Sequence, residues 1–184
     1  MKKTTIAIII VIALIVLYCF STYNSLVTLN VNADTQWKQV EVNYQRRFDL
    51  IPNLVESVKG IMNQEKEIFL AIADARTRYS GAVTADEKAS AAAQVEGTLG
   101  RLLVIMENYP TLRSADTVQT LMSQLEGTEN RISVERIRFN DSIRSYNLKV
   151  MRFPSSVMAS IFGFEERAYF EITEGADAVP EVKF

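Results

Sequence analysis

The sequence predicts an all-α protein, in which an N-terminal single-pass membrane helix continues into an elongated antiparallel bundle of about four long helices. A short C-terminal helix and an extended tail complete this expected fold. Residues 6–20 form an unbroken apolar run, and the apolar residues beyond it recur at the helical steps of three and four. With 7 Gly and 4 Pro in 184 residues, few positions favour ending a helix. We expect an anchor at residues 1–22, a bundle domain at 23–163 and the tail at 164–184.

The apolar run at residues 6–20 is interpreted as an uncleaved membrane anchor. The run alone is shorter than the ~18 to 20 residues of a span. The hydroxyl residues at 4–5 and 21–22 can bond to helix carbonyls, and adding them gives about 19 residues, or roughly 28 Å at 1.5 Å per residue. A cleaved signal is an alternative, although residues 19–21, Cys-Phe-Ser, make a poor cleavage site. A buried core helix is the third alternative.

The basic residues that flank the run predict its orientation. Lys2 and Lys3 precede it, whereas the first basic residue after it is Lys38, with Asp34 before that. Because Lys and Arg near a span are retained on the cytoplasmic side, we expect a cytoplasmic N-terminus and an extracytoplasmic bundle. The lipid bilayer is thus the first expected partner.

Composition excludes several kinds of chemistry. The chain has no His, its only Cys is Cys19 in the apolar run, and its net charge is −2. These counts argue against imidazole or thiol catalysis, Cys/His zinc sites, disulfides and nucleic-acid binding. No motif places two carboxylates in a cleft. We therefore expect no enzyme, no cofactor and no metal site.

The first predicted helix continues outward from the membrane, because no Gly or Pro lies between Met1 and Ile51. Its apolar stripe consists of Leu26, Ala33, Trp37, Val40, Tyr44, Phe48 and Ile51. Pro52 removes a backbone donor and disfavours helical geometry at Ile51, so we expect a kink or turn there. A second helix is expected from Pro52 to about residue 79, followed by a loop at 80–82.

A capping box from Thr84 to Glu87 predicts the start of a third helix, over residues 85–108. Its middle is rich in small residues, including Gly97 and Gly100. Small side chains allow a neighbouring helix to approach closely. We therefore expect a packing seam there, within the chain or between chains.

A fourth helix is predicted to begin after a cap at residues 114–116 and to end at Phe153-Pro154. Its stripe suggests coiled-coil-like packing and consists of Leu121, Leu125, Thr128, Ile132, Glu135, Phe139, Ile143, Tyr146 and Val150. The basic residues on this helix are expected to lie on a solvated face. A short helix at 157–162 should follow, capped by Ser155 or Ser156 and ended by Gly163.

One long block of sequence resembles the signature of the LemA family. The block is RRFDLIPNLVESVKG at residues 46–60. Further matching positions are Tyr23-Asn24-Ser25-Leu26-Val27, Trp37, Tyr146-Asn147, Phe153-Pro154, Ala159, Gly163-Phe164 and Tyr169-Phe170-Glu171. Phe139-Asn140 departs from the Tyr-Asn pair expected there. The resemblance implies a protein of the bacterial cytoplasmic membrane with an elongated helical bundle and no established enzymatic activity.

Two groups of residues are candidates for interaction or structural roles. Arg46, Arg47, Asp49, Pro52 and Asn53 surround the expected kink, and Asn140, Tyr146 and Asn147 lie on the fourth helix. The first group could contact a partner or lipid headgroups, or the kink could be architectural beside a surface ion pair. The second group is interpreted as a structural network in which amides bond across helices.

The function predicted from these features is that of a non-enzymatic scaffold or adaptor at the membrane, which forms homo-oligomers. A further membrane protein is a possible partner of unknown identity. The alternative is a secreted or peripheral binding module with a cleaved leader, which recognises a peptide or small ligand.

Overall fold

The structure is a computed structural model, and it describes residues 3–60, 62, 65–113 and 115–170. Within these ranges all regular secondary structure is helical, so the predicted all-α fold class is confirmed. The helices are α1 (Lys3–Lys59), α2 (Lys66–Gly81), α3 (Ala85–Met106), α4 (Pro110–Arg113), α5 (Asp116–Met151) and α6 (Ser155–Phe162). The tail prediction for residues 171–184 lies outside the described residues.

Helix α1 has 57 residues and contains Pro52 in its interior. The prediction that a second helix begins at Pro52 was therefore wrong. Proline in a helix interior costs about 3 kcal/mol, whereas each fully buried large apolar side chain contributes about 1.5–3 kcal/mol. Phe48, Ile51, Leu54 and Val58 are all buried on both sides of Pro52. Their burial outweighs the lost hydrogen bond, and the helix ends just before Gly60.

The first turns of α1 contain the one stretch in the described chain that is long and apolar enough to cross a membrane. None of this apolar window is buried inside the protein. Leu17 and Phe20, for example, are exposed. A core helix would bury such side chains, so their exposure argues against the third alternative for this run.

Helices α2, α3 and α4 follow α1 with short connections. Ile68, Ile72 and Tyr79 line the buried face of α2, which packs on α3. The capping box of α3 is confirmed, because the Glu87 amide donates to Thr84 Oγ1 at 3.2 Å and the Thr84 amide donates to Glu87 Oε2 at 3.0 Å. The sequence did not predict the short helix α4.

The expected close packing at Gly97 and Gly100 does not occur within the chain. A Cβ placed at either glycine would meet no atom within 4 Å, and both residues are exposed on α3. The buried residues of this part of α3 are instead Val95 and Leu99. The two glycines therefore lie on the outer face of the helix.

Helix α5 buries the predicted stripe, apart from Glu135, which is half-buried. It ends before a cis peptide bond at Phe153-Pro154, and α6 begins two residues earlier than predicted. Ser155 does not cap α6, since its Oγ donates back to the carbonyls of Lys149 and Arg152, both at 2.7 Å. Gly163 ends α6 with φ of 72°, as expected for a residue in the left-handed conformation.

The chain divides into two compact units, to both of which α1 and α5 contribute residues. Unit 1 consists of residues 1–38 and 137–169, and unit 2 of residues 39–136 and 170–184. In unit 1, Leu26, Tyr146, Val150 and Ala159 form the hydrophobic core. In unit 2, large side chains of α1, α2, α3 and α5 are buried together. The domain boundaries expected from the sequence remain predictions.

Candidate functional site

Unit 2 contains five interacting polar side chains that we call the charge cluster: Tyr44, Arg47, Glu96, Glu129 and Arg136. Tyr44 and Arg47 lie three residues apart on α1, one turn from each other. Glu129 and Arg136 lie seven residues apart on α5, which places them on the same face. Glu96 comes from α3 and adjoins buried Val95. The cluster therefore forms where three helices meet.

Arg136 is held by the partners on α1 and α3. Its Nη2 donates to Glu96 Oε1 at 2.8 Å, and its Nε donates to the Tyr44 hydroxyl at 3.0 Å. Nη2 also donates to the same hydroxyl. The guanidinium carbon lies 4.7 Å from the centre of the Phe170 ring, in cation–π geometry. Arg136 is therefore not on the solvated basic face that the sequence predicted for α5.

Arg47 is the most buried charge of the cluster, with 8% of its surface exposed. Its Nη1 donates to Glu129 Oε2 and, at 3.4 Å, to Glu96 Oε1. Its Nε, in contrast, is buried without a hydrogen-bond partner. An unsatisfied buried donor costs about 1–3 kcal/mol, so this nitrogen is the atom of the cluster most in need of an acceptor.

A cavity of about 480 Å³ opens beside Arg47 in unit 2. Apart from Arg47, its lining is apolar on the α1 and α3 side, and it is mixed on the α5 side. The lining residues are Arg47, Leu54, Leu99, Leu103, Gln119, Met122, Ser123, Leu125, Glu126 and Glu129. Apolar walls with a few convergent polar groups are typical of small-molecule sites.

Burial controls the ionisation of the cluster. It raises the pKa of Tyr44 to about 12, against the lowering effect of Arg136. It also raises the pKa of Glu96, with Glu129 adding repulsion and the two arginines opposing the shift. Burial by itself would lower the pKa of Arg136, but Tyr44, Glu96 and Glu129 together raise it. Tyr44 therefore remains a neutral acceptor for a permanently charged Arg136.

The raised pKa of Glu96 predicts a pH dependence of unit 2. Between its ordinary value of 4.5 and the raised value, folded Glu96 keeps a proton that the unfolded chain has released. The folded state then binds more protons, so stability falls as the pH rises through this window. Glu96→Gln should flatten that part of the profile. Chemical unfolding at a series of pH values tests this, and an unchanged slope would contradict it.

The residues that the sequence singled out around Pro52 are mostly exposed. Arg46, Asp49 and Asn53 lie on the surface of α1. Asp49 Oδ1 accepts a hydrogen bond from Gln45 Nε2 at 2.9 Å. Only Arg47 of this group enters the charge cluster.

In unit 1, Tyr146 and Asn147 bind the segment that follows α6. The Tyr146 hydroxyl donates to the Glu165 carbonyl at 2.9 Å. The Asn147 side chain donates to the Arg167 carbonyl at 2.8 Å and accepts from the Arg167 amide at 2.9 Å. Asn147 thus bonds to non-helical backbone and not across helices, while Asn140 is half-buried on α5.

Sequence reasoning missed Tyr44 as a hydrogen-bonding group and missed Glu96 altogether, and it placed Glu129 and Arg136 on a solvated face of the fourth helix. The available signal was the spacing of Glu129 and Arg136, which share a helix face next to the buried positions Thr128 and Ile132. Charged residues at that spacing beside an apolar stripe indicate partly buried charges that need partners on neighbouring helices. The position of Glu96 carries no such signal, since a single Glu among small residues is typical of an exposed helix face.

The charge cluster and the cavity beside it form a site suited to binding a ligand. No group of three or more His, Cys, Asp or Glu residues that could hold a metal ion is found in the described part of the chain. The charge cluster offers fixed donors and acceptors next to an apolar cavity. Such an arrangement can orient a ligand that has an acceptor for Arg47 and an apolar body.

A match to a family model identifies the family of this chain. The model of the LemA family matches residues 36–184. The chain belongs to the LemA family. The resemblance seen at residues 46–60 is therefore confirmed, and within this LemA protein that block contributes Arg47 to the charge cluster.

Several magnetosome proteins are similar to this LemA protein. MamQ of Magnetospirillum gryphiswaldense is 30% identical over 181 residues, covering 84% of this chain and 66% of that protein. MamQ 1 and MamQ 2 of Paramagnetospirillum magneticum are each 28% identical over 181 residues, with the same coverage. The chain thus spans just under two thirds of the length of these curated relatives.

Proposed function

We propose that this LemA protein is a non-enzymatic, membrane-anchored scaffold or adaptor that assembles into homo-oligomers. The observation that carries the proposal is the unburied apolar stretch at the start of α1, which continues without a break into the helices of the bundle. A lipid-facing span at the start of α1 holds the rest of the chain at the membrane. We infer a cytoplasmic N-terminus and an extracytoplasmic bundle at the bacterial cytoplasmic membrane from Lys2 and Lys3.

The outer face of α3 supports self-association. Gly97 and Gly100 leave open space above the helix, and exposed Val104 continues this face. Glycines allow two helix backbones to approach closely. A second copy of the chain that packs on this face of α3 would bury its apolar surface. Such a contact between copies would hold a homo-oligomer together.

Substitution of the α3 glycines tests the assembly. Gly97→Leu and Gly100→Leu should each make the isolated chain more helix-stable, by up to about 1 kcal/mol, yet shift oligomers towards monomers because the side chains block close approach. Mass photometry and blue-native electrophoresis in detergent measure the mass of the oligomer formed by each variant. Gly127→Leu on α5 is the matched control, since a Cβ there also meets nothing within 4 Å. Monomers at every concentration of the unmodified protein would contradict assembly.

A labelling experiment tests the orientation. Ser80 is exposed near the end of α2, so Ser80→Cys in a Cys19→Ser background provides one reactive thiol. We expect a membrane-impermeant maleimide to label this thiol in whole cells. Labelling only after lysis would reverse the proposed topology, and a cytoplasmic protein with an exposed thiol serves as the control.

The second candidate function is a binding module for a peptide or small ligand, favoured by the 480 Å³ cavity and by the unpaired Arg47 Nε. Native mass spectrometry of the protein purified from its own membranes would reveal a bound ligand. Met122→Trp, which fills the cavity, should abolish that binding without changing the oligomer mass. N-terminal sequencing of the mature protein distinguishes an uncleaved anchor from a cleaved leader. A mature start at Thr22 or later favours the secreted module.

A further inference from the structure

Helix α6 and its flanks expose a row of apolar side chains. Phe153 is 84% exposed, Val157 47% and Ile161 65%. The steps of four between them place Val157 and Ile161 on one face of α6, with Phe153 just before the helix. Residues 153–164 contain no charged residue. Such a contiguous exposed apolar face marks an interaction surface.

Contacts within unit 1 fix α6 at the point where α1 leaves the proposed span. The ring of Phe162 packs against that of Tyr23 with centroids 4.9 Å apart, and Ala159 shares a core with Leu26. Tyr23 and Leu26 lie one and four residues beyond Thr22, the expected end of the span. At 1.5 Å per residue these positions are roughly 1.5 and 6 Å beyond the hydrocarbon edge.

That depth is the headgroup layer. A bilayer is about 40–45 Å thick with its headgroups and about 30 Å without them, so each headgroup layer is roughly 5–8 Å deep. Tyr23, which packs on Phe162, therefore lies where Tyr and Trp rings accumulate in membrane proteins. The end of α5 lies at the same level, because Val150 belongs to the core cluster with Leu26.

We propose that α6 is an interfacial membrane helix, whose exposed face at Phe153, Val157 and Ile161 inserts into the boundary between headgroups and acyl chains beside the span. The occupant of this face is the bilayer that carries α1, since α6 packs on Tyr23 through Phe162 and Tyr23 lies three residues beyond exposed Phe20 on α1. The proposal rests on the proposed membrane anchor. It gives the bundle a second attachment, which limits its rotation and tilt relative to the membrane.

The charged residues on either side of α6 fit its placement at the membrane interface. Exposed Arg152 directly precedes Phe153, where a guanidinium can reach phosphate groups while the neighbouring ring enters the apolar layer. Acidic residues begin only at Glu165, after Gly163 has ended α6. A second copy of the chain is the competing occupant, and the experiment separates the two.

The test uses the full chain reconstituted in vesicles of phosphatidylethanolamine and phosphatidylglycerol. In a Cys19→Ser background, an NBD fluorophore is attached at Ile161→Cys, and in separate proteins at Leu17→Cys and Val31→Cys. Leu17 lies in the span, whereas Val31 is exposed nine residues beyond Thr22, or roughly 14 Å outside the hydrocarbon edge. All three positions are exposed, so circular dichroism should show unchanged folding.

We expect the Ile161 label to shift its emission to the blue and to lose intensity to quenchers placed shallowly in the lipid. The Leu17 label should be quenched by deep quenchers and the Val31 label by neither. An Ile161 label that behaves like the Val31 label overturns the proposal. If the blue shift of the Ile161 label instead grows with the protein-to-lipid ratio and lipid quenchers have no effect on it, a second copy of the chain covers the face. Absence of quenching at Leu17 would instead refute the anchor itself.

Discussion

Arg136→Met is expected to destabilise unit 2 by about 2 kcal/mol, which is below the cost of removing one partner from a fully buried ion pair because the side chains of Arg136 and Glu96 are 20% and 25% exposed. Methionine keeps the unbranched stem but removes the donors to Glu96 and Tyr44. Glu96 would then face Glu129 with only Arg47 to compensate both. The free energy of unfolding, measured by urea titration with far-ultraviolet circular dichroism in detergent, reports the loss.

Two further variants make this result interpretable. Arg131→Met removes an exposed arginine from the same helix and should change the free energy of unfolding by no more than about 0.5 kcal/mol. The double variant Arg136→Met with Glu96→Met removes both partners, so it should be less destabilised than Arg136→Met alone. Equal losses for Arg136→Met and Arg131→Met would show that the cluster is not energetically coupled to the fold.

The helical architecture followed from the sequence where local and long-range signals agree. The stripe of α5 predicted the buried positions from Leu121 to Val150, and the Thr84 capping box predicted the start of α3. Pro52 shows the opposite case, since its local signal was strong but the burial of Phe48 and Leu54 on both sides of it outweighed that signal. The helix in fact ends at Lys59, before Gly60, and glycine is a weaker helix-breaking signal than proline.

The candidate site was largely invisible in the sequence, because it depends on which charges three helices bring together. Arg47 was noted for its position beside Pro52, yet its burial is set by Glu96 and Glu129, 49 and 82 residues away. Gly97 illustrates the same limit. Its small size indicated close packing, but a sequence does not say whether the neighbour belongs to the same chain.

Asn147→Ala is expected to destabilise unit 1 by about 2 kcal/mol, because the Arg167 amide and carbonyl both lose their side-chain partner. Asn147 is 2% exposed, so water replaces these bonds poorly. The segment at residues 164–169 should then separate from α5, and its amides should exchange hydrogen faster. Trp37, the only tryptophan, lies in the same unit and reports unfolding by fluorescence.

Comparison with Arg167→Ala distinguishes the role of the Asn147 side-chain amide from that of the ion pair between Arg167 and Asp34. This variant keeps the backbone bonds to Asn147 but removes the contacts of the guanidinium with Asn30 Oδ1 and Asp34 Oδ1, both at 2.8 Å. Asp34 is largely exposed, so the loss should be under about 1 kcal/mol. Ser145→Ala, at an exposed position of α5, is the neutral control. If Arg167→Ala cost more than Asn147→Ala, the charge and not the buried amide would hold the C-terminal segment on unit 1.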